Sequence, residues 1–286
     1  MSCAVCGSAS SRRKLRVADV DILECRRCGL AWWEPPRGDF VPEALYDAGY
    51  FEDARAARGY DDYAGLEPAL RHSFARRIAR LGAPSRAGAR LLDVGAAYGF
   101  AVSEAQRAGW RACGIEISTA ASQRAQAAAP GAVVVAHAAR TPFPDASFEA
   151  ITLWDVLEHL PDPLAALSEL TRVLAPGGVL ALSTGDVGSL VARISGSRWH
   201  LYTLPEHLFF YSRASLRRLV ESHGLSVQRM RADASWYSAS YLLERLRKSL
   251  LRRSGAPGRR RPGSAWHIQV NLFDIVTLHA VKRKAS

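Results

Sequence analysis

From residue 91 onward, short apolar segments alternate with longer segments of mixed polarity. The apolar segments predict strands over 91–94, 112–117, 132–135, 148–153, 179–183, 225–230 and 270–281. The mixed segments predict helices over 100–108, 119–128, 163–174 and 214–223. Strands that alternate with helices of this length indicate a parallel sheet covered by helices on both faces. We therefore expect an α/β protein with a doubly wound, mostly parallel sheet of seven strands.

Two regions precede this alternation. Residues 35–60 are rich in proline, glycine and aromatic residues and predict a linker on the surface of the main domain. Leu66, Leu70, Phe74 and Ile78 then recur every four positions, which predicts a helix within 61–81. The main domain is accordingly expected to span 61–286.

Residues 236–263 form a predicted insertion before the last strand. Its first part, 236–251, places aromatic and leucine side chains on one helical face and basic side chains on the others. Such a helix could serve as a lid over a substrate pocket or make peripheral contact with an anionic membrane. The arginine-, glycine- and proline-rich remainder predicts an exposed loop.

Four cysteines near the start form two pairs, Cys3-x-x-Cys6 and Cys25-x-x-Cys28. This spacing is typical of a zinc ribbon, and a short hairpin is expected between the pairs. Four thiolates would complete a tetrahedral, structural Zn²⁺ site with no open position for water. We expect residues 1–34 to form this zinc-ribbon-like module.

The amino-acid composition indicates which classes of protein this chain can belong to. A hydrophobic content of 48% and a charged content of 23% are typical of a soluble globular protein. No apolar run reaches the roughly 20 residues that span a bilayer, and the first residues lack the pattern of a secretory signal, so a cytoplasmic location is expected. A net charge of +11 suggests an anionic partner such as nucleic acid. Only four of the 38 basic residues are lysines, however, which indicates a compositional bias towards arginine.

The first strand leads into a turn of small residues between Asp93 and Gly99. Open α/β sheets bind their cofactors at this edge, but a glycine-rich turn alone does not say which cofactor. Asp93 stands two residues before Gly95, where a carboxylate would repel the pyrophosphate of a dinucleotide. It suits the ammonium and sulfonium groups of S-adenosylmethionine. Glu116 ends the second strand, where a carboxylate can accept both ribose hydroxyls.

The motifs of residues 93–99, 114–116, 142–151, 155–162 and 172–178 together resemble the successive motifs of class I S-adenosylmethionine-dependent methyltransferases. The resemblance covers residues from about 60 to 230 and implies a Rossmann-like fold. It assigns the methionine end to Asp93, Gly95, Ala97 and Gly99, the ribose to Glu116, and the adenine to the stretch near His137 and Ala138. Asp155, in the fourth motif, is assigned to the cofactor as well. Ala97 replaces the usual middle glycine, and His137 stands where an acid often contacts the adenine amine.

A narrower resemblance concerns the acceptor. Several features look like those of bacterial methyltransferases associated with sugars and surface polysaccharides: the four-cysteine start, Tyr50-Phe51, residues 59–63, the histidine after the fourth strand, the Glu206-His207 pair and the closing residues 271–276. They are also similar to nucleotide-sugar C-methyltransferases, which carry a further large C-terminal domain. No such domain is expected here, so the C-methylation chemistry is not carried over. We carry over His159, Glu206 and His207 as candidates for the base and for orienting the substrate, with Tyr63 near the cofactor. The expected substrate is a sugar, or a glycolipid or polysaccharide intermediate.

Two other functions fit the same sequence. One is an RNA methyltransferase that binds the phosphate backbone of RNA through its zinc module and its arginine side chains. The other is a zinc-ribbon adaptor on a methyltransferase-like scaffold that no longer binds cofactor. The presence of both Asp93 and Glu116 argues against the adaptor.

Overall fold

The computed structural model describes residues 2–35, 45–46, 50–51, 63–238 and 267–284. A seven-stranded sheet forms its centre. Its strands are β4 (Arg90–Val94), β5 (Arg111–Glu116), β6 (Val133–Val135), β7 (Phe148–Trp154), β8 (Leu174–Gly185), β10 (Leu225–Ala232) and β13 (Ile275–Lys282). They lie in the order β10-β13-β8-β7-β4-β5-β6. Only β13 runs against the others, between β8 and β10. The predicted doubly wound α/β sheet is therefore confirmed.

The middle of this sheet is buried on both faces. Leu91, Leu92, Ile151 and Leu153 are fully enclosed, because helices cover both sides of parallel strands. β4 pairs with β5 on one side and with β7 on the other. The carboxyl ends of these three strands consequently meet at one edge, which is where the first small-residue turn lies.

Helices connect the strands, and several begin at a side chain that caps them. They are α1 (Glu67–Ala79), α2 (Phe100–Arg107), α3 (Thr119–Ala125), α4 (Pro163–Val173), α5 (Leu190–Ser195) and α6 (Arg213–Glu221). Ser118, Asp162, Ser189 and Ser212 each accept a backbone N–H from the first turn of the helix that follows. Within the described residues, no helix is long and apolar enough to cross a membrane.

The N-terminal residues form a hairpin that is joined to the main domain. β1 (Ser11–Val17) pairs with β2 (Val20–Cys25), and β2 pairs with β3 (Ala31–Trp32). β3 then pairs with β9 (Phe209–Phe210), which belongs to the main domain. Cys3, Cys25 and Cys28 share one apolar cluster with residues of α6 and the main sheet.

Two predicted helices differ from the structure. The helix expected within 61–81 covers Glu67–Ala79 and follows a short 3₁₀ turn at Ala64–Leu66. The helix expected over 236–251 is wrong at its start, because Ser235–Ser238 forms β11, which pairs with β12 (His267–Val270). Backbone pairing with a distant segment there overrides the helical spacing of the side chains. Residues 239–251, and most of the predicted 35–60 linker, lie outside the described residues.

Candidate functional site

A tight turn joins β4 to α2 at the carboxyl edge of the main sheet. Gly95, Ala97 and Gly99 adopt left-handed backbone conformations, with φ values of 71°, 45° and 75°. A Cβ atom on Gly95 would lie 2.5 Å from a methyl group of Val156, so this position requires glycine. The N–H group of Gly95 donates to the carbonyl oxygen of Ile115 at 2.9 Å. The turn is therefore folded tightly against β5.

Glu116 ends β5 directly beside this turn. Its carboxylate accepts the N–H of Ala97 at 2.8 Å through Oε2 and the N–H of Ser118 at 2.9 Å through Oε1. The residue is 5% exposed, and burial raises the pKa of Glu116 although both N–H groups favour the charged form. Each carboxylate oxygen keeps a further acceptor position. The side chain can therefore bind two hydroxyl groups of a ligand.

Asp93 lies beneath the turn and does not line the cavity described below. Its Oδ1 accepts the hydroxyl of Thr152 at 2.6 Å, which ties β4 to β7. Burial raises the pKa of Asp93 to about 7, and the charge of Glu116 acts in the same direction. Any electrostatic effect of Asp93 on a ligand would consequently act from below the turn.

A cavity of about 880 Å³, its open mouth included, lies over the ends of β4, β5 and β7. The predicted cofactor residues that line it are Tyr63, Gly95, Ala97, Glu116, His137, Ala138 and Asp155. Gly99 does not line it: a Cβ atom there would lie 3.2 Å from Ala125 and 3.3 Å from Ala129, so this glycine lets the turn pack closely on these two alanines.

His137 and Ala138 follow β6 and form one part of the cavity wall. The His137 Nδ1 atom accepts the N–H of Ala139 at 3.1 Å, so the imidazole stabilises its own loop. Tyr63 forms another part of the wall and packs edge-on against Phe51, with ring centroids 5.6 Å apart. The cavity wall thus has the rings of Phe51 and Tyr63 in one part and the loop of His137 and Ala138 in another.

Asp155 follows β7 with a φ of 57°, a conformation that residues with a side chain rarely adopt. Ser183 donates to its Oδ1 at 2.8 Å, and Arg77 approaches its Oδ2 at 3.2 Å. Arg77 is itself buried, bound to Asp233 at 2.8 Å and placed over the ring of Trp154. The Asp155 carboxylate, whose side chain is 44% exposed, is therefore held in one orientation at the cavity.

His159 lines the cavity, and His207 lies behind it with ring centroids 4.6 Å apart. The Nδ1 atom of His159 lies 3.1 Å from the carbonyl oxygen of Glu206 and 2.9 Å from the hydroxyl of Tyr46. The Nδ1 atom of His207 lies 2.8 Å from the carbonyl oxygen of Leu201. Burial lowers the pKa of His159 well below its usual value and the pKa of His207 to about 4. Both imidazoles are therefore uncharged at neutral pH. Glu206 itself is 1% exposed and does not line the cavity.

The structure adds residues to which the sequence analysis gave no role in the site. Glu158 is buried, and burial followed by the charge of Asp155 raises the pKa of Glu158 to about 8. Tyr46 and Tyr50 line the cavity, although they lie in the predicted linker. The signals for these three were that Glu158 adjoins His159, that the linker is rich in aromatic residues, and that Tyr50 belongs to the narrower resemblance.

Cys3, Cys6, Cys25 and Cys28 converge at the base of the N-terminal hairpin. Their four sulfur atoms lie within 4.8 Å of one another. The Cys3–Cys28 and Cys6–Cys25 sulfur pairs are each 3.5 Å apart, too far for disulfides. Sulfur ligands at about 2.3 Å from one ion lie at comparable separations. The four residues therefore fit a tetrahedral metal ion.

Comparison with known families gives one match that covers most of the chain. Residues 48–229 match the family described as a methyltransferase domain. A 27-O-demethylrifamycin SV methyltransferase of Amycolatopsis mediterranei is 38% identical over 130 residues, which are 43% of this chain and 47% of that protein. A ubiquinone biosynthesis O-methyltransferase of Alkalilimnicola ehrlichii is 34% identical over 127 residues, 42% of this chain and 51% of that protein. This chain thus spans about half the length of the curated relatives it matches.

Solved structures agree in fold. A candidate methyltransferase from Bacillus halodurans superposes with a TM-score of 0.53 at 16% identity, over 74% of this chain and 100% of that one. A Haloferax volcanii complex of the Trm112 methyltransferase activator and a candidate methyltransferase gives a TM-score of 0.55 at 18% identity, over 78% of this chain and 93% of that one. Likeness at these identities concerns the fold alone.

Proposed function

Because this chain belongs to the methyltransferase domain family, we propose that it transfers a methyl group from S-adenosylmethionine to a small molecule. The observation that carries the proposal is the position of Glu116, which ends β5 at the cavity with both carboxylate oxygens fixed by backbone N–H groups. A carboxylate fixed in this way suits the two hydroxyls of a ribose.

The remaining cavity residues fit the other parts of that cofactor. Gly95 and Ala97 keep the turn close enough for a ligand to lie along the backbone. Asp155 offers a fixed carboxylate to the ammonium group of the methionine end. His137 and Ala138 are placed to contact the adenine, and Tyr63 to cover the cofactor from its own part of the wall.

Methyl transfer requires alignment more than activation by the protein. S-adenosylmethionine supplies, when bound, a methyl group already activated by a sulfonium. An acceptor hydroxyl, however, must lose its proton as the new bond to carbon forms. An uncharged imidazole can take up a proton or bind a cation, and His159 presents one at the cavity wall. We assign activation of the acceptor to His159 and His207, with Glu206 orienting the segment that bears His207.

The proposed acceptor is a sugar, or a glycolipid or polysaccharide intermediate, methylated in the cytoplasm. Support comes from the four-cysteine start and the Glu206-His207 pair, on which the resemblance to sugar-associated methyltransferases rests. The curated relatives named above methylate small molecules, by their names. Peripheral contact with a membrane through residues 236–251 would suit a lipid-linked acceptor.

We further propose that the four cysteines hold a structural Zn²⁺ and that residues 1–34 act as a module attached to a catalytic domain of residues 61–286. The sulfur separations support the ion. The pairing of β3 with β9 supports a role in shaping the acceptor side of the cavity, since β9 follows directly after Glu206 and His207.

Two measurements test the main proposal. Isothermal titration with S-adenosylmethionine should give binding in the micromolar range, and profiling with the labelled cofactor should place label in nucleotide-sugars or lipid-linked sugars. Absence of cofactor binding would contradict the proposed methyltransferase activity. Label in total RNA, with activity that falls steeply with salt, would favour RNA methylation and contradict the sugar acceptor.

A further inference from the structure

Three side chains with metal-binding atoms converge between the cavity and the N-terminal module. Glu158, His159 and His207 each place one such atom within 4.8 Å of the other two. We infer that Glu158, His159 and His207 form a binding site for one divalent transition-metal ion, separate from the four-cysteine site.

The carboxylate supplies the first argument. The Oε2 atom of Glu158 is buried and has no hydrogen-bond partner among the described residues. The residue as a whole is 5% exposed, so bulk solvent does not reach this oxygen. A buried carboxylate oxygen without a partner is costly. A cation bound by the neighbouring imidazoles would satisfy it.

The imidazoles supply the second argument. In each ring the Nδ1 atom lies near a backbone carbonyl oxygen, that of Glu206 for His159 and that of Leu201 for His207. A carbonyl oxygen can only accept, so these contacts favour the tautomer with the proton on Nδ1 and the lone pair on Nε2. The hydroxyl of Tyr46, 2.9 Å from the Nδ1 of His159, can accept as well as donate and is compatible with that tautomer. Histidines that bind metal ions are commonly fixed by such a contact through their other nitrogen. Both rings therefore make the kind of backbone contact that commonly fixes a metal-binding histidine.

The donor set indicates the kind of ion. Two imidazoles and one carboxylate suit Zn²⁺, Fe²⁺, Co²⁺ or Mn²⁺, whereas Ca²⁺ and Mg²⁺ prefer oxygen alone. Soft thiolates characterise the four-cysteine site instead. The two sites should therefore differ in the metal ions they prefer and in their spectra.

The position of His159 indicates what the ion would do, and this step rests on the proposed function. His159 lines the same cavity as Glu116 and Asp155. An ion on this residue would face an acceptor and bind its oxygen, which would make the acceptor hydroxyl more acidic. Its proton would pass to solvent water at the open mouth of the cavity as the oxygen bonds to the methyl carbon and the bond from that carbon to sulfur breaks. An acceptor with two adjacent hydroxyls could bind through both.

The site is tested with Co²⁺ as the probe, on the full chain. Wild type should bind two equivalents, one with the intense sulfur-to-cobalt absorption of a thiolate site and one with only weak visible bands. Glu158→Gln and His207→Asn should each weaken the second equivalent at least tenfold and leave the first unchanged. His223→Asn is the matched control, because the Nδ1 of His223 also faces a backbone carbonyl at 2.7 Å and His223 belongs to neither cluster.

A wild-type protein that binds a single equivalent, or a Glu158→Gln variant that retains both, would overturn the inference. Because Glu158→Gln nearly preserves size and shape, its far-UV circular dichroism and its affinity for S-adenosylmethionine should match wild type. Methyl transfer is measured separately. If Co²⁺ binds as described but no acceptor is methylated, the metal site stands and the proposed function fails.

Discussion

The indole Nε1 of Trp33 donates a hydrogen bond to the backbone carbonyl oxygen of His207 at 2.8 Å. Trp33 follows β3 of the N-terminal module, and His207 lies behind the wall of the cavity. The N-terminal hairpin region therefore contacts the segment that we propose for the acceptor side of the site. Its effect on activity should act through the position of His207, not through the cofactor.

Trp33→Phe should lower the rate of methyl transfer without weakening cofactor binding. The substitution leaves the carbonyl of His207 without its donor, which typically costs about 1–2 kcal/mol. Trp32→Phe is the control, because it removes a similar apolar area from the adjacent residue and leaves this hydrogen bond intact. A Trp33→Phe protein with wild-type kcat would show that the contact does not matter for activity.

Glu116→Gln should reduce the affinity for S-adenosylmethionine at least tenfold. An amide can accept through one atom only, so it loses one of the two backbone N–H groups or one of the ribose hydroxyls. Glu149→Gln is the control, because Glu149 is a half-buried strand carboxylate that also accepts a backbone N–H, that of Arg90 at 2.7 Å, but does not line the cavity. Its affinity for S-adenosylmethionine should match wild type. If Glu116→Gln and wild type bind S-adenosylmethionine equally tightly in isothermal titration, Glu116 does not bind the ribose.

Asp93→Asn should change how stability depends on pH. The pKa of Asp93 rises to about 7 in the folded protein, whereas it is near 3.9 in an unfolded chain. The folded state therefore holds the proton more tightly, so this residue's stabilising contribution is complete below about pH 4 and is lost as the pH rises towards 7. That loss is on the order of 4 kcal/mol, since each pKa unit corresponds to about 1.4 kcal/mol. Urea unfolding at pH 5 and pH 8 should show a smaller decrease in the variant than in wild type, and equal decreases would contradict the burial of this carboxyl.

Gly95→Ala should destabilise the protein and weaken cofactor binding more than its backbone conformation alone explains. The added Cβ atom meets Val156, which lines the cavity. Gly131→Ala separates the two effects, because Gly131 has a similar φ of 67° with nothing within 4 Å of a Cβ atom. Gly131→Ala should lower the free energy of unfolding by about 1 kcal/mol. Gly95→Ala should lower it by about 1–3 kcal/mol more, because the added methyl group overpacks the turn. Indistinguishable costs would mean that Val156 moves aside freely.

Removal of the thiolate metal site should destabilise the N-terminal module. Cys25→Ser should lower the bound zinc by one equivalent in elemental analysis, and both this variant and the chelated protein should have a lower melting temperature. The described cysteines form no disulfide, so a reducing agent alone should have no such effect. A chelated protein with an unchanged melting temperature would argue against a structural ion.

Local features of the site could be predicted from the sequence. The turn from Asp93 to Gly99 and the acid at Glu116 belong to one strand-turn-helix-strand unit, in which a few adjacent residues determine the conformation. Features that depend on contacts between distant segments could not be predicted from the sequence. The pairing of β3 with β9, the Arg77–Asp233 ion pair that supports Asp155, and the approach of His207 to Glu158 all join segments that are distant in the chain.

The pairing of β3 with β9 also orders events during synthesis. Ala31 and Trp32 leave the ribosome long before Phe209 and Phe210, with which they pair. In a nascent chain this edge stays without its partner strand until most of the chain has been made, and an exposed strand edge is prone to pair with other chains. Early metal capture by the four cysteines would hold the hairpin closed during that interval.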